Sequence, residues 1–171
     1  TKFHEKGRFN DKSFIKNTLD FIKKENRPVF AHVHLGGTHC CGYKTSNSIK
    51  KFSKGMKKKS KTFEYNHDED VFFRDDTLLR ADRYFKKFYD GLKKTGELEN
   101  TILIISSDHT QRWNTHQRVP LLIRFPNKQH SKRVKGNAQL LDIAPTVLDY
   151  LKAPIPEWMS GRSLISNSKS Q

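Results

Sequence analysis

Apolar residues recur at intervals of three and four in three parts of the chain, and this spacing predicts three helices. The first begins at an Asn–Asp cap at residues 10–11 and ends before Pro28. The second is long, carries its apolar stripe on residues 78–92, and ends at Gly96. The third begins at Asp142 as its N-cap, with Pro145 in its first turn.

Three other runs are short and continuously apolar, and their β-branched and aromatic residues predict buried strands. They are residues 28–35 (PVFAHVHL), 101–107 (TILIISS) and 119–125 (VPLLIRF). His32 and His34 alternate within the first run, and we interpret both as packed, hydrogen-bonded side chains. Helices alternating with such strands are typical of an α/β fold with a largely parallel sheet. We find no repeat and no second domain, and expect one domain over residues 1–171.

Basic residues dominate the charge of the chain. Its 171 residues include 33 Lys and Arg against 18 Asp and Glu, a formal net charge of +15. Many of the lysines lie in residues 44–61, which we expect to form a surface loop. Two interpretations of this loop are open: a binding surface for a polyanion, or an ordinary solvated loop. Nucleic acid is not an expected partner, because no base-reading motif accompanies the lysines.

Two of the predicted strands lead into residues that are typical of ligand sites. Residues 28–35 run into Gly-Gly-Thr and then His39, and residues 101–107 run into Asp108 and His109. Ligands of parallel α/β sheets lie beyond the carboxyl ends of the strands, so the three side chains converge if these strands are parallel neighbours. Asp and His together suit a divalent ion such as zinc or manganese. The alternative stays open that Asp108 caps a following turn and that the histidines are solvated.

Basic side chains near the Asp–His pair could complete a site for an anion. Arg112, His116 and Arg118 all lie within ten residues of it. A guanidinium binds phosphate or sulfate through two hydrogen bonds, and an imidazole is a ligand or a proton donor. An ordinary surface loop is the alternative interpretation of these residues.

Five motifs follow one another from residue 96 onward: GELENT (96–101), SDHT (107–110), RVPL (118–121), DIAPTVL (142–148) and GRSL (161–164). In this order they resemble the C-terminal half of the sulfatase catalytic domain, which belongs to the alkaline phosphatase superfamily. Upstream, HVHLGGTHCCGY (32–43) resembles the strand-plus-histidine element of the family, with some leaning to its phosphoethanolamine and lipoteichoic acid transferase branch. The resemblance implies an α/β fold of the alkaline phosphatase type, with a mixed, mostly parallel sheet flanked by helices.

The resemblance also implies roles for particular residues. Asp108 and His109 would be ligands of a divalent ion: calcium, magnesium, manganese or zinc. His39 would contact the sulfate or phosphate group of an ester substrate, and His116 falls near a position where the family binds its substrate. Residues 142–146 would be structural. By the same resemblance, the protein would be exported, lysosomal or membrane-tethered, as its relatives often are.

Three departures from the family pattern matter for function. The nucleophile pattern, Cys, Ser or Thr in C/S/T-x-P-x-R, does not occur in the sequence, and neither does the acidic metal ligand that opens the fold. Thr110 stands where the family usually has Gly. We therefore expect a fragment of a larger enzyme, inactive alone, whose partner is the missing N-terminal half of its own domain. The alternative is an inactive sulfatase-like domain that binds a polyanion through its basic surface.

Overall fold

The computed structural model of the protein describes residues 10–38, 49–55, 70–110 and 118–166. The chain divides into two compact units, Thr1–Glu97 and Leu98–Gln171. The described helices and strands are α1 (Asp11–Lys24) and α2 (Asp70–Thr95) in the first unit, and β1 (Leu103–Ser106), β2 (Leu121–Arg124) and α3 (Ile143–Tyr150) in the second. Within the described ranges, no helix is both long enough and apolar enough to span a membrane.

The two helices of the first unit confirm the first two helices that the spacing of apolar residues predicted. Asn10 caps α1, since its side-chain oxygen accepts a hydrogen bond from the backbone N–H of Ser13 at 3.2 Å. After α2 the chain passes through Gly96 with φ of +80°, a conformation that glycine adopts without strain. Gly91 lets the helices approach closely, because a Cβ there would lie 2.5 Å from a methyl carbon of Leu19. Apolar burial in this unit is modest and centres on Ile15, Ala81 and Leu92.

A buried carboxylate on α2 holds part of the lysine-rich segment. Asp76 accepts hydrogen bonds from three successive backbone N–H groups, those of Lys51, Phe52 and Ser53, at 2.9, 2.9 and 3.1 Å. The hydroxyl of Ser53 donates a fourth at 2.5 Å. Burial opposes ionisation of this side chain, but the four donors outweigh burial and lower the pKa of the Asp76 carboxyl below its usual value.

The predicted buried strand at residues 28–35 is wrong. These residues form no regular secondary structure, Phe30 is 93% exposed, and His32 and His34 are exposed rather than packed. An apolar run becomes a strand only where neighbours take its backbone hydrogen bonds and cover its side chains. No strand in the described ranges pairs with it.

The second unit contains the two strands that were expected from residues 101–107 and 119–125. β1 and β2 pair antiparallel, with Leu103 opposite Arg124 and Ser106 opposite Leu121. Neither strand is buried throughout, and Leu122 is 58% exposed. The sheet in the described part of the chain is therefore a small antiparallel one, and a mostly parallel sheet is not confirmed.

The start of α3 is tied to the Gly-Arg-Ser-Leu segment near the C-terminus. Asp142 is the residue before α3, as predicted, but its buried carboxylate does not cap that helix. It accepts instead from the backbone N–H groups of Gln139 and Arg162, each at 2.9 Å. The buried hydroxyl of Thr146 accepts from the N–H of Leu164 at 2.9 Å. The two motifs thus hold each other, which is a structural role for residues 142 and 146.

We predict that Asp76→Asn lowers the free energy of unfolding by about 2 kcal/mol at neutral pH, since an amide nitrogen would then face N–H donors in a buried site. A carboxyl whose folded-state pKa is lowered stabilises the fold above its unfolded pKa of about 3.9, and the stabilisation is lost as the pH falls through the folded value. Urea unfolding of both proteins from acidic to neutral pH measures the difference.

The control for this prediction is Asp82→Asn, which removes an exposed carboxylate from the same helix and should change stability little. A difference between wild type and Asp76→Asn that stays constant into the acid range would contradict the assigned role of Asp76.

Candidate metal centre and its surroundings

Asp108 and His109 lie just beyond the carboxyl end of β1, as the sequence predicted. The chain turns there because the Ser107 hydroxyl donates to the backbone carbonyl of His109 at 2.7 Å. The Ser106 hydroxyl donates to the carbonyl of Pro120 at 2.8 Å, which joins this end of β1 to the chain entering β2. Both side chains of the pair are thereby presented at one end of the two-stranded sheet.

The geometry of the pair brings an oxygen and a nitrogen donor close together. Oδ2 of Asp108 lies 3.8 Å from Nε2 of His109, and Oδ1 accepts from the backbone N–H of His109 at 2.9 Å. The Asp108 side chain is 65% exposed and the His109 side chain 32% exposed. Asp108 is therefore not satisfied in a buried network, in contrast with Asp76.

A backbone contact fixes which imidazole nitrogen of His109 carries the proton. Nδ1 lies 2.7 Å from the carbonyl oxygen of Thr110. A carbonyl can only accept, so Nδ1 must be the N–H donor, and Nε2 carries the lone pair in the neutral ring. Histidines that bind metals commonly donate their other ring N–H to a carbonyl or carboxylate in this way.

The pair fits a divalent ion as two of its ligands. Because 3.8 Å is less than twice a metal–ligand bond of about 2.0–2.4 Å, one ion can contact both Oδ2 and Nε2. In the described ranges no group of three or more His, Cys, Asp or Glu side chains is arranged to hold an ion. Further ligands would have to come from residues outside those ranges.

Of the predicted anion-binding residues, Arg118 lies in the described part of the chain. It precedes β2 by three residues, at the same end of the antiparallel pair as Asp108. Its guanidinium is exposed and donates to the side-chain oxygen of Asn137 at 3.3 Å, while Arg162 donates to the backbone oxygen of Asn137 at 3.0 Å. His39, Arg112 and His116 lie outside the described residues, so these predictions stay untested.

The sequence reasoning missed the contacts immediately before His39. The N–H of Gly36 donates to Oδ1 of Asp11 at 3.0 Å, and Arg80 donates to the carbonyl of Gly37 at 2.5 Å. Asp11 and Arg80 are each only 5% exposed. Helical spacing identified Asp11 only as a capping residue. Asp11 lies 25 positions from Gly36, and Arg80 lies 43 positions from Gly37, so neither contact leaves a local pattern in the sequence.

Burial is the largest influence on Asp11 and raises the pKa of its carboxyl, against the hydrogen bond from Gly36 and the charge of Arg80, which lower it. The consequence for stability has the opposite sign to that of Asp76. The contribution of this group is fully present below the unfolded pKa and is lost as the pH rises through the folded value.

Comparison with known proteins assigns most of the chain to one family. The family model Sulfatase matches residues 1–153. The chain is 36% identical over 102 residues to the extracellular sulfatase SULF-1 homolog of Drosophila melanogaster, covering 52% of this chain and 9% of that protein. It is 36% identical over 90 residues to arylsulfatase K of Bos taurus, covering 46% of this chain and 17% of the relative.

A third relative represents the wider superfamily. The multifunctional alkaline phosphatase superfamily protein PehA of Trinickia caryophylli is 29% identical over 102 residues, covering 52% of this chain and 20% of that protein. The chain thus matches between 9% and 20% of the length of these three relatives. No solved structure matches the chain.

We predict that the neutral imidazole of His109 is protonated on Nδ1. Long-range ¹H–¹⁵N correlation spectra at alkaline pH distinguish the two ring nitrogens. The expected spectrum has a protonated Nδ1 and an unprotonated Nε2, because the Thr110 carbonyl accepts from Nδ1. A spectrum with the proton on Nε2 would remove that nitrogen as a metal ligand.

Proposed function

Because the chain belongs to the sulfatase family, we propose that it forms part of a metal-dependent hydrolase of sulfate esters. Two of the three relatives described above are named sulfatases, which supports sulfate over phosphate as the transferred group. The relation to an alkaline phosphatase superfamily protein leaves phosphoryl transfer as the second chemistry to test.

The single observation that carries the proposal is the arrangement of Asp108 and His109. Two donor atoms 3.8 Å apart lie at a strand end, and a backbone carbonyl holds the imidazole so that Nε2 bears the lone pair. Histidines that bind metals commonly donate their second ring N–H to a backbone carbonyl, as His109 does.

The residues of the chain would then act as follows. Asp108 and His109 would hold a divalent ion, and this ion would stabilise the negative charge that develops on the ester oxygens and on the nucleophile. His39 binds the sulfate group or protonates the leaving oxygen, and His116 and Arg118 bind the sulfate group. The nucleophile comes from the protein outside these 171 residues, since no C/S/T-x-P-x-R sequence occurs within them.

We further propose that the complete domain has the mixed, mostly parallel sheet of its superfamily. Membership of the sulfatase family supports this.

Asp108→Asn in the full-length protein should remove the ion and the activity together. The neutral amide is a poorer ligand than the carboxylate, so we expect metal affinity to fall at least ~100-fold, and turnover of an aryl sulfate by ~10³-fold or more. Metal content by elemental analysis and turnover are measured on the same samples. The 171-residue chain alone should show no turnover.

Asp82→Asn is the matched control, since it removes an exposed carboxylate on α2 and should leave both readouts unchanged. Normal turnover by Asp108→Asn, or turnover without any bound ion, would contradict the proposal. Hydrolysis of a phosphodiester and not of an aryl sulfate would assign the chain to phosphoryl transfer instead.

A second candidate function is that the lysine-rich segment binds a polyanion such as a sulfated glycan. The observation in its favour is the Asp76 anchor. It fixes residues 51–53 to a helix while the side chains of Lys50, Lys51 and Lys54 remain exposed. A fixed cluster of cations loses less conformational freedom on binding than a solvated loop does.

We expect the chain to bind heparin with an affinity that falls steeply as salt is raised, because binding releases condensed counterions. Replacing Lys50, Lys51 and Lys54 with glutamate should weaken binding at least ~10-fold. Replacing the exposed Lys23, Lys24 and Lys86 controls for the same change in net charge. Equal losses for the two triple variants would show that net charge, and not this segment, governs binding.

A further inference from the structure

Two exposed arginines of the second unit meet at one asparagine. Nη2 of Arg118 donates to the side-chain oxygen of Asn137 at 3.3 Å, and Nη2 of Arg162 donates to the backbone oxygen of the same residue at 3.0 Å. Neither guanidinium forms an ion pair with a carboxylate in the described part of the chain. A neutral donor would hold the Asn137 carbonyl equally well, so this hydrogen bond does not explain the positive charge of Arg162.

The backbone around Arg162 is fixed by a buried carboxylate. Oδ1 of Asp142 accepts from the N–H of Arg162, and Oδ2 accepts from the N–H of Gln139, which lies just after the asparagine, each at 2.9 Å. The preceding residue, Gly161, packs so closely against the carbonyl oxygen of Leu141 that a Cβ would not fit. Both the arginine and the asparagine are therefore attached to chain segments that are held in place before any ligand binds.

The surface that leads to this pair of arginines is cationic. Residues 127–138 are all exposed and contain no Asp or Glu, and their basic residues include Lys128, Lys132, Arg133 and Lys135. Cations that share a surface repel one another, and an anion that binds among them relieves the repulsion. This part of the second unit thus favours an anionic ligand.

The arginines lie on the side of the second unit that carries the candidate metal centre. β1 and β2 are antiparallel, with Ser106 opposite Leu121, so Asp108 beyond β1 and Arg118 before β2 lie at the same end of the sheet. Arg162 reaches this end through Asn137, which Arg118 also contacts. An anion bound by the two guanidiniums would therefore lie at the same end of the sheet as an ion held by Asp108.

We propose that Arg162, together with Arg118, binds a second anionic group of the substrate, a sulfate or a carboxylate, beside the ester that is hydrolysed. The inference rests on the proposed function, in which Arg118 binds the reacting sulfate. Arg118 is shared between the two anionic groups, and Arg162 serves the second. Guanidinium groups suit both kinds of anion, because their parallel N–H groups match two oxygens of a carboxylate or a sulfate. The substrate class is therefore an ester with more than one negative charge, such as an acidic oligosaccharide.

The test measures competition in the full-length protein, with turnover of nitrophenyl sulfate as the readout. The competitors are disaccharides that share one sulfate ester and carry no other charge, an added carboxylate, or an added second sulfate. The wild-type protein should bind the doubly charged disaccharides more tightly than the singly charged one. Arg162→Gln should lower this preference about 10-fold, because a charge-assisted hydrogen-bonded pair is lost. Arg83→Gln, which removes an exposed positive charge from α2, should leave the preference unchanged.

Arg162→Lys separates the geometry of the guanidinium from its charge. Lysine keeps the positive charge but lacks the planar group that contacts two oxygens, so we expect part of the preference to remain. Thermal unfolding of each variant establishes that the protein is folded at the assay temperature. A variant that is less stable but keeps the full wild-type preference would assign Arg162 to structure alone and overturn the inference.

The outcomes also identify the anionic group and separate the inference from the proposed function. A larger loss for the carboxylate-bearing disaccharide assigns a carboxylate to Arg162, and a larger loss for the doubly sulfated one assigns a sulfate. Equal weakening of all the competitors, or a wild-type protein without a preference, would overturn the inference while aryl sulfate turnover upheld the proposed function. If the wild-type protein does not hydrolyse the aryl sulfate, the proposed function fails, and this inference fails with it.

Discussion

The structure depends on buried carboxylates that accept backbone N–H groups from loops. Asp11 binds Gly36, Asp76 binds residues 51–53, and Asp142 binds Gln139 and Arg162. Each of these three side chains is no more than 5% exposed. A loop cannot leave its peptide groups unsatisfied in a protein interior, and an ionised carboxylate satisfies several at once. Each aspartate thereby ties a loop to a helix.

This arrangement follows from a shortage of apolar contact. Mean hydropathy is −0.82, and several large apolar side chains remain exposed, Phe30 and Trp158 the most of all. With limited apolar burial in the described ranges, polar contacts supply much of the specificity of the loops. Glu99 gives a partly exposed version, in which one carboxylate accepts from the Arg124 guanidinium at 2.6 Å and from the N–H of Asn127 at 2.9 Å.

Asp108 differs from these carboxylates in its exposure and its hydrogen bonds, as its proposed role as a metal ligand requires. Asp76 and Asp142 are buried and hydrogen-bonded to loops, whereas Asp108 is 65% exposed and accepts only from the N–H next to it among its described contacts. An acid that stabilises a fold is enclosed by donors, and an acid that binds an ion must remain accessible to it. The His109 side chain is also accessible, at 32% exposed, and the Thr110 carbonyl orients its ring.

The features that the sequence predicted correctly are those that depend on interactions between residues close together in the chain. The helices, the Asn10 cap, the stop at Gly96 and the position of the Asp108–His109 pair all follow from spacing within a few residues. Residues 28–35 failed because strand formation depends on neighbours, which no single run specifies. The antiparallel pairing of β1 with β2 was likewise not visible, since the same apolar runs fit parallel or antiparallel sheets.

The contacts of Asp11 and Arg80 with Gly36–Gly37 could not be predicted for a related reason. The partners lie 25 and 43 positions apart, and each charged residue has a more ordinary interpretation as a cap or a helix-surface cation. Long-range polar contacts of this kind carry no periodicity. These contacts become visible only when the chain is folded.

The central claim is that Asp108 and His109 are ligands of one divalent ion in a sulfatase-family protein. Anomalous diffraction from crystals of the full-length protein grown with Mn²⁺ tests it most directly. The account predicts an anomalous peak within about 2.5 Å of both Oδ2 of Asp108 and Nε2 of His109. An ion bound elsewhere in the protein, with these two atoms in contact only with water, would contradict it.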